Sequence, residues 1–232
     1  MGKLLEKRLA SLSAQLDRSG LGGGLKGIEK ESLRITPDGQ IADTPHPVEL
    51  GSALANSYIT TDFSEALIEL VTPPRAETSA ALEFLDDIHR FVYSKIGDEL
   101  LWATSMPCAV AGESSVPIAQ YGPSNVGKMK HVYRRGLSYR YGRVMQAIAG
   151  VHFNYSLPEG FWPVYQEIRG DRRSSQEFID ASYFALLRNF HRFGWLTLYL
   201  FGASPALCKS FLGGRPTDLE DFDAYTCYAP YA

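Results

Sequence analysis

Apolar residues recur at Leu4, Leu5, Leu9, Leu12 and Leu16, the spacing of one helical face, and predict an opening amphipathic helix over residues 4–17 that stops at Ser19-Gly20. Gly22-Gly23-Gly24 then breaks the chain. Leu25 to Thr36 is strand-like and closes on the turn residues Pro37-Asp38-Gly39, with Gln40-Ile41-Ala42 as the returning arm of a hairpin. Tyr58 to Thr72 predicts another strand, ended by Pro73-Pro74. Helical spacing returns at Ala80, Ala81, Phe84, Leu85, Ile88, Phe91, Val92 and Ile96, between Glu77 and Glu99, with Thr78 or Ser79 as the cap. Residues 103–127 are rich in Pro, Gly and Ser and predict a long surface excursion of the kind that often carries function. Val144 to Leu157 predicts a strand stopped by Pro158. The last long element, Ser175 to Leu200, is apolar on more than one side, which predicts a helix buried among others.

The 232 residues can enclose one sizeable core, since single domains commonly run to about 250 residues, so one domain or part of one is expected. With 45% apolar and 21% charged residues, the composition excludes disorder. No apolar run reaches the ~18 residues of a spanning helix. The closest, Phe193 to Cys208, is broken by Gly202, Ser204 and Pro205 and reads as a buried helix and its exit, so no membrane role is expected. A net charge of −3 argues against nucleic acid as partner. The one basic cluster, Lys128, Lys130, His131, Arg134, Arg135, Arg140 and Arg143, is interleaved with Tyr133, Tyr139 and Tyr141, types that a pocket for phosphate and carboxylate groups needs equally. Cys108, Cys208 and Cys227 are widely spaced with no C-x-x-C, which supports neither zinc nor a disulfide framework; Cys108 and Cys208 read as buried and inert. The start lacks a signal-peptide core, so a cytoplasmic location is expected, and the aromatic tail Tyr225–Ala232 reads as cut.

Three segments carry the chemistry. A strand sends residues i and i+2 to one face, so Glu29 stands beside Glu31, His152 beside Asn154, and Glu65 and Glu69 flank Leu67 on one side. For Glu29 and Glu31 the competing reading is a solvated face with ion pairs to Lys26, Lys30 and Arg34. Gly27, costly in a strand, favours close approach of a ligand or backbone instead. Asp62, Glu65 and Glu69 lie in a stretch with no basic residue from Thr60 to Pro74, so distant partners or a metal must neutralise them. His152, between Val151 and Phe153, is either a core histidine or the one imidazole of this set. Oxygen-rich ligands with one imidazole and no thiolate suit Mg²⁺, with Mn²⁺ as an alternative, better than zinc, and protein-bound magnesium usually accompanies phosphate. Gly122 to Lys128 fits G-x-x-x-x-G-K, but Met129 stands where Ser or Thr is needed and no apolar strand precedes, so the segment reads as a turn before a basic helix. Tyr133, Leu137, Tyr139, Tyr141 and Gln146, beside Arg134 and Arg135, read either as packing residues or as a small metabolite pocket.

Gly27-Ile28-Glu29-Lys30-Glu31-Ser32-Leu33-Arg34, Leu50-Gly51-Ser52-Ala53-Leu54, Ile59 to Leu67, Ser105-Met106-Pro107-Cys108, Gln120-Tyr121-Gly122, Gly150 to Leu157 and Tyr199 to Ala206 resemble, in order, the proteobacterial type of glutamate–cysteine ligase. The resemblance implies an α+β fold like that of glutamine synthetase, a curved antiparallel sheet forming a cradle with helices outside, here incomplete at the C-terminus. Residues 1–232 would then be the N-terminal portion of a single catalytic domain. It implies ATP- and Mg²⁺-dependent joining of the L-glutamate γ-carboxyl to the L-cysteine amine through an acyl phosphate, the first step of glutathione synthesis, and a monomer is expected. By similarity Glu29, Glu31, Asp62, Glu69 and His152 are metal positions, and Phe63, Tyr133, Leu137 and Gln146 line the cysteine pocket. Family members are longer, with a substrate-binding arginine and tyrosine, a further metal-binding glutamate and phosphate-binding residues after the segment aligned with this chain, so negligible turnover by these residues alone is expected. A related ligase with another amine, and a non-catalytic nucleotide- or metal-binding fragment, remain alternatives.

Overall fold

The strand that follows the glycine break is the spine of the main sheet: β1 (Leu25–Ile35). It pairs antiparallel with β3 (Leu67–Val71), which pairs antiparallel with β2 (Ile59–Thr60); the far end of β1 pairs antiparallel with β4 (Leu100–Leu101), and β5 (Val151–Ser156) also pairs with β1. The register sets Leu33 opposite Leu67 and Glu31 opposite Glu69. The two faces of β3 therefore do different work. Ile68 and Leu70 pack with Ile59, Val92 and Ile96 beneath α2 (Thr78–Tyr93), while Leu67 joins Leu33, Phe63, Val116 and Ala147 in a second cluster on the other face. Further along the β1–β3 ladder that second face carries Glu69, Glu31 and Glu29.

The computed structural model describes residues 2–15, 23–107, 110–202 and 204–230. The expected stop of the opening helix at Ser19-Gly20, with Leu16, and also Gly22, Cys108, Ala203, Tyr231 and Ala232, lie outside the described residues. The chain divides into two compact units, residues 26–154 with 205–232, and residues 1–25 with 155–204. The first unit holds most of the main sheet, α2, α3 (Asn125–Tyr141) and a three-stranded antiparallel sheet of β6 (Ala206–Cys208), β8 (Thr226–Tyr228) and β7 (Glu220–Asp221). The architecture is α+β with antiparallel sheets. The second unit packs α1 (Gly2–Ser13), α4 (Phe161–Arg169) and α5 (Ser175–Phe193) round Phe161, Trp162 and Phe178, and α6 (Trp195–Phe201), which follows α5, has no buried residue. No helix among the described residues is long and apolar enough to cross a membrane.

Several expectations are corrected. The strand expected over Tyr58–Thr72 is two strands, because the chain leaves the sheet at Thr61, whose hydroxyl donates to Ser64 O, while Ala66 N–H donates to the Ser64 hydroxyl. Val144–Leu157 is extended only in its second half, Val144–Ala147 being a 3₁₀ turn. Gln40–Ala42 contributes a single bridge, Ile41 to Ile35, and the N-cap position of α2 falls on Glu77, not on Thr78 or Ser79, with no capping hydrogen bond from its side chain. The segment 103–127 is not surface throughout: Pro107, Val116, Ala119 and Tyr121 are buried. The helix expected over 175–200 divides at Gly194, and its apolar sides are exposed, not buried, because α4 covers only the side that carries Phe178. The P-loop lookalike is the expected turn. Ser124 caps α3 by accepting from Gly127 N–H, and a Cβ at Gly127 would run into the carbonyls of Tyr121 and Gly122.

Candidate active site

Two like charges face each other across the sheet: Glu31 of β1 and Glu69 of β3 are register partners, an arrangement that costs stability unless something offsets it. Glu29 follows on the same face of β1. The basic neighbours that could have neutralised this strand are used elsewhere. Lys26 Nζ donates to Ala76 O at 2.6 Å, Lys30 Nζ to Ser32 Oγ at 2.5 Å, and Arg34 is engaged with Glu99. The partners come instead from the segment that leads into and forms β5. Gly150 N–H donates to Glu31 Oε2 at 2.6 Å, His152 Nδ1 lies 3.2 Å from Glu29 Oε2, and Asn154 Nδ2 donates to Glu29 Oε1 at 2.9 Å. The imidazole of His152 is 57% exposed, so it is not a core histidine.

The electrostatics follow from crowding. Burial, then the charges of Glu31, Asp62 and Glu29, push the Glu69 carboxyl up to about 7. Burial also raises Glu31, against the pull of the Gly150 N–H. The hydrogen bond to Glu29 raises the pKa of His152, with the charges of Glu31 and Glu69 adding to it.

Gly27 does not play the part expected of it, since a Cβ there would meet Asn154 and Thr72 only at 3.8 Å, ordinary contact. The close approach is at Gly150. A Cβ on it would lie 2.7 Å from His152 Nε2 and 3.4 Å from Glu31 Oε2. Gly150→Ala therefore displaces the imidazole from Glu29, and the His152 pKa falls back towards 6.5. An NMR titration of the imidazole reads this directly; an unchanged pKa would contradict the packing.

Asp62 sits in the loop between β2 and β3 and is held from a distance. Arg134 Nη2 lies 3.0 Å from Asp62 Oδ1, and Arg134 Nε donates to the Asp62 carbonyl. The Tyr121 hydroxyl lies 2.7 Å from Thr61 O and 2.9 Å from Asp62 O. Lys130 and Arg134 both stand over the Tyr121 ring, 5.0 and 4.7 Å from its centre. The motif Gln120-Tyr121-Gly122 and the basic cluster with Arg134 are visible in the sequence, but the part these two side chains play in holding Asp62 is not. The available signal was the i, i+4 spacing of Lys130 and Arg134, which puts both cations on one side of α3.

Glu65 is not beside Glu69 as strand alternation implied, because it precedes β3 and turns away from the cluster. It is 8% exposed, and its two oxygens accept from His46 N–H at 2.9 Å and Gln120 N–H at 2.5 Å. Its outer side lines a separate cavity of about 570 Å³ with His131, Arg135 and Arg143. Burial holds the neighbouring His46 below its ordinary pKa, although the Glu65 charge raises it. Glu65→Gln presents an NH₂ to a backbone N–H already buried there. We expect a loss of about 1–3 kcal/mol by urea denaturation, and a change within error would show that the brace is dispensable.

Of the expected pocket residues, Phe63 is buried and shares an apolar cluster with Leu137 of α3. Tyr133, one turn earlier on α3, is 63% exposed. Gln146 lies in the 3₁₀ turn whose Val144 and Ala147 enter that cluster. Among the described residues, no three His, Cys, Asp or Glu side chains already stand as a closed ligand set. What the fold does assemble is a carboxylate-rich face with one imidazole, a donor set that suits a hard divalent cation.

The family model described as glutamate–cysteine ligase matches residues 9–232. A glutamate–cysteine ligase from Pseudomonas putida (strain W619) is 56% identical over 232 residues, which are 100% of this chain and 44% of that protein. One from Alcanivorax borkumensis is 57% identical over 231 residues, 99% of this chain and 44% of the relative. Among solved structures, the glutamate–cysteine ligase of Francisella tularensis in complex with AMP superposes with a TM-score of 0.82 at 38% identity, covering 90% of this chain and 41% of that one. A bifunctional glutathione synthetase from Pasteurella multocida gives 0.76 at 31% identity, covering 85% and 26%. The chain thus spans less than half the length of the curated relatives it matches.

Proposed function

This chain belongs to the glutamate–cysteine ligase family, and from that premise we propose that it supplies the acidic face of a site that joins the γ-carboxyl of L-glutamate to the amine of L-cysteine, with ATP as co-substrate, in the first step of glutathione biosynthesis. The observation that carries this reading is the register pair Glu31–Glu69 with Glu29 and His152 at its side. In the proposed reaction the γ-carboxylate attacks the terminal phosphorus of ATP, giving an acyl phosphate and ADP. The cysteine nitrogen then bonds to the acyl carbon, phosphate leaves, and the nitrogen gives up a proton.

Both steps gather negative charge in one place, which is the main electrostatic obstacle. Glu29, Glu31, Asp62, Glu69 and His152 fit Mg²⁺ or Mn²⁺ by donor type, and a divalent ion held there would offset the charge of triphosphate and carboxylate. The chain's own part is to hold those ligands ready: His152 and Asn154 orient Glu29, the Gly150 N–H orients Glu31, and Arg134 orients Asp62. Phe63, Tyr133, Leu137 and Gln146 would form the wall against which the cysteine side chain lies. The nucleotide reading is supported by the AMP bound in the Francisella tularensis relative. We read the main sheet as part of a curved cradle of the glutamine synthetase type, within one catalytic domain of which residues 1–232 are the N-terminal portion, and the cytoplasm as the site of action.

The test compares this chain with a protein in which it is followed by the remaining length of a relative, each given Mg²⁺-ATP, glutamate and cysteine. The longer protein is expected to form γ-glutamylcysteine and ADP in equal amounts, and the 232 residues alone to form negligible product. ADP release that needs another amine in place of cysteine would favour the related carboxylate–amine ligase. Heat on titrating Mg²⁺-ATP without any product from the longer protein would leave a binding role only.

A further inference from the structure

Helices α5 and α6 are built inside out. On α5 the small residues Ala181, Ser182 and Ala185 line a cavity together with Phe178, Leu186 and the α4 residues Phe161 and Trp162, while other large apolar residues of α5 are exposed. Phe184 is 63% exposed, Phe190 64%, Trp195 61%, Tyr199 78% and Phe201 83%. A surface helix of a finished fold shows the opposite pattern, and contiguous apolar patches beyond a few hundred Å² are rare on monomers. Apart from Thr197, every residue of α6 is apolar.

The comparisons say what is available to cover it. The relatives align along this whole chain, α5 and α6 included, and more than half of their own length lies outside the match. We propose that the outward face of α5 and α6 is a docking surface for that remaining polypeptide, which buries these aromatic side chains as the second half of the family's fold. The inference rests on family membership and on exposure, not on the reaction proposed above.

The experiment co-expresses this chain with a separately tagged polypeptide consisting of the remaining portion of the Pseudomonas putida relative. A stable one-to-one complex is expected by light scattering, with slower backbone hydrogen exchange over residues 183–201. Phe190→Glu and Tyr199→Glu should each weaken association at least tenfold, and Val48→Glu, at an 87% exposed position in the other unit, should leave it unchanged. Because both test positions are largely exposed, circular dichroism should show helix content unaltered. The proposal is overturned by the absence of a complex, by a complex indifferent to both substitutions, by dimerisation of this chain alone through the same face in preference, or by preferential binding to phosphatidylcholine vesicles. Association is read without substrates, so a complex that forms and makes no product removes the ligase reading and leaves the docking intact.

Discussion

Glu69→Gln is expected to raise the thermal stability of this chain at pH 8 and to abolish its response to Mg²⁺. In the native register Glu69 faces Glu31, and burial, with the charges of Glu31, Asp62 and Glu29 adding to it, raises its pKa from 4.5 to about 7. A carboxyl whose folded pKa lies above its unfolded one favours the folded state when protonated. Its contribution is therefore fully present below about pH 4.5 and is lost as pH rises through about 7. The residue is partly exposed, and after allowance for solvent screening the cost of burying its charged form beside other carboxylates at pH 8 amounts to about 1–2 kcal/mol. For a chain of this size that is a rise in melting temperature of about 2–8 °C. The variant's stability should also vary less between pH 4.5 and 7. With Mg²⁺ added, the wild type should gain stability as a cation offsets the charges, and the variant, lacking one donor, should gain little. A variant less stable than the wild type at pH 8, or one equally stabilised by Mg²⁺, would dissociate Glu69 from the proposed cation site.

The largest loss of stability is expected at a residue outside that site. Arg34→Leu should cost about 3–5 kcal/mol, because it leaves the buried Glu65 carbonyl and the partly buried Glu99 carboxylate without their donor. The Arg34 side chain is 1% exposed and reaches four partners: Glu99 Oε2 at 2.7 Å, Thr44 Oγ1 at 2.6 Å, and the carbonyls of Thr44 and Glu65, each at 2.9 Å. The Glu65 carbonyl belongs to the loop that carries Asp62, so the guanidinium ties the floor of the candidate site to β1. Arg34→Lys should not rescue it, since a single ammonium cannot span the same fork of acceptors. Urea unfolding measures the effect; a loss below about 1 kcal/mol would mean that the charge is not needed to order the loop.

These two positions differ in how far the sequence exposes them. Glu69 is visible as an acid in a stretch without local cations, and its shared face with Glu31 is visible as far as strand parity allows. Arg34 stands next to the paired glutamates and invites an ion pair with them, yet its actual partners are Thr44, the Glu65 carbonyl and Glu99, 10, 31 and 65 residues away. Tyr121, buried under two cations, sits in a segment whose composition suggested surface. For α5 the apolar pattern is legible but its meaning is not. All-round apolarity normally means burial, and within this chain the covering surface reaches only one side.

What the sequence determines by itself is local. The parity of β1, the spacing of α2 and the turn at Gly122 follow from backbone periodicity and glycine conformation within a few residues. The family, too, is legible in the order of its motifs. Only the tertiary structure decides that Glu31 faces Glu69, that Glu65 turns away to His46 and Gln120, and that His152 meets Glu29. Those are pairings between residues 19 to 123 positions apart. Such pairings depend on ladder register and on which buried N–H groups need acceptors, and no short window of sequence contains either.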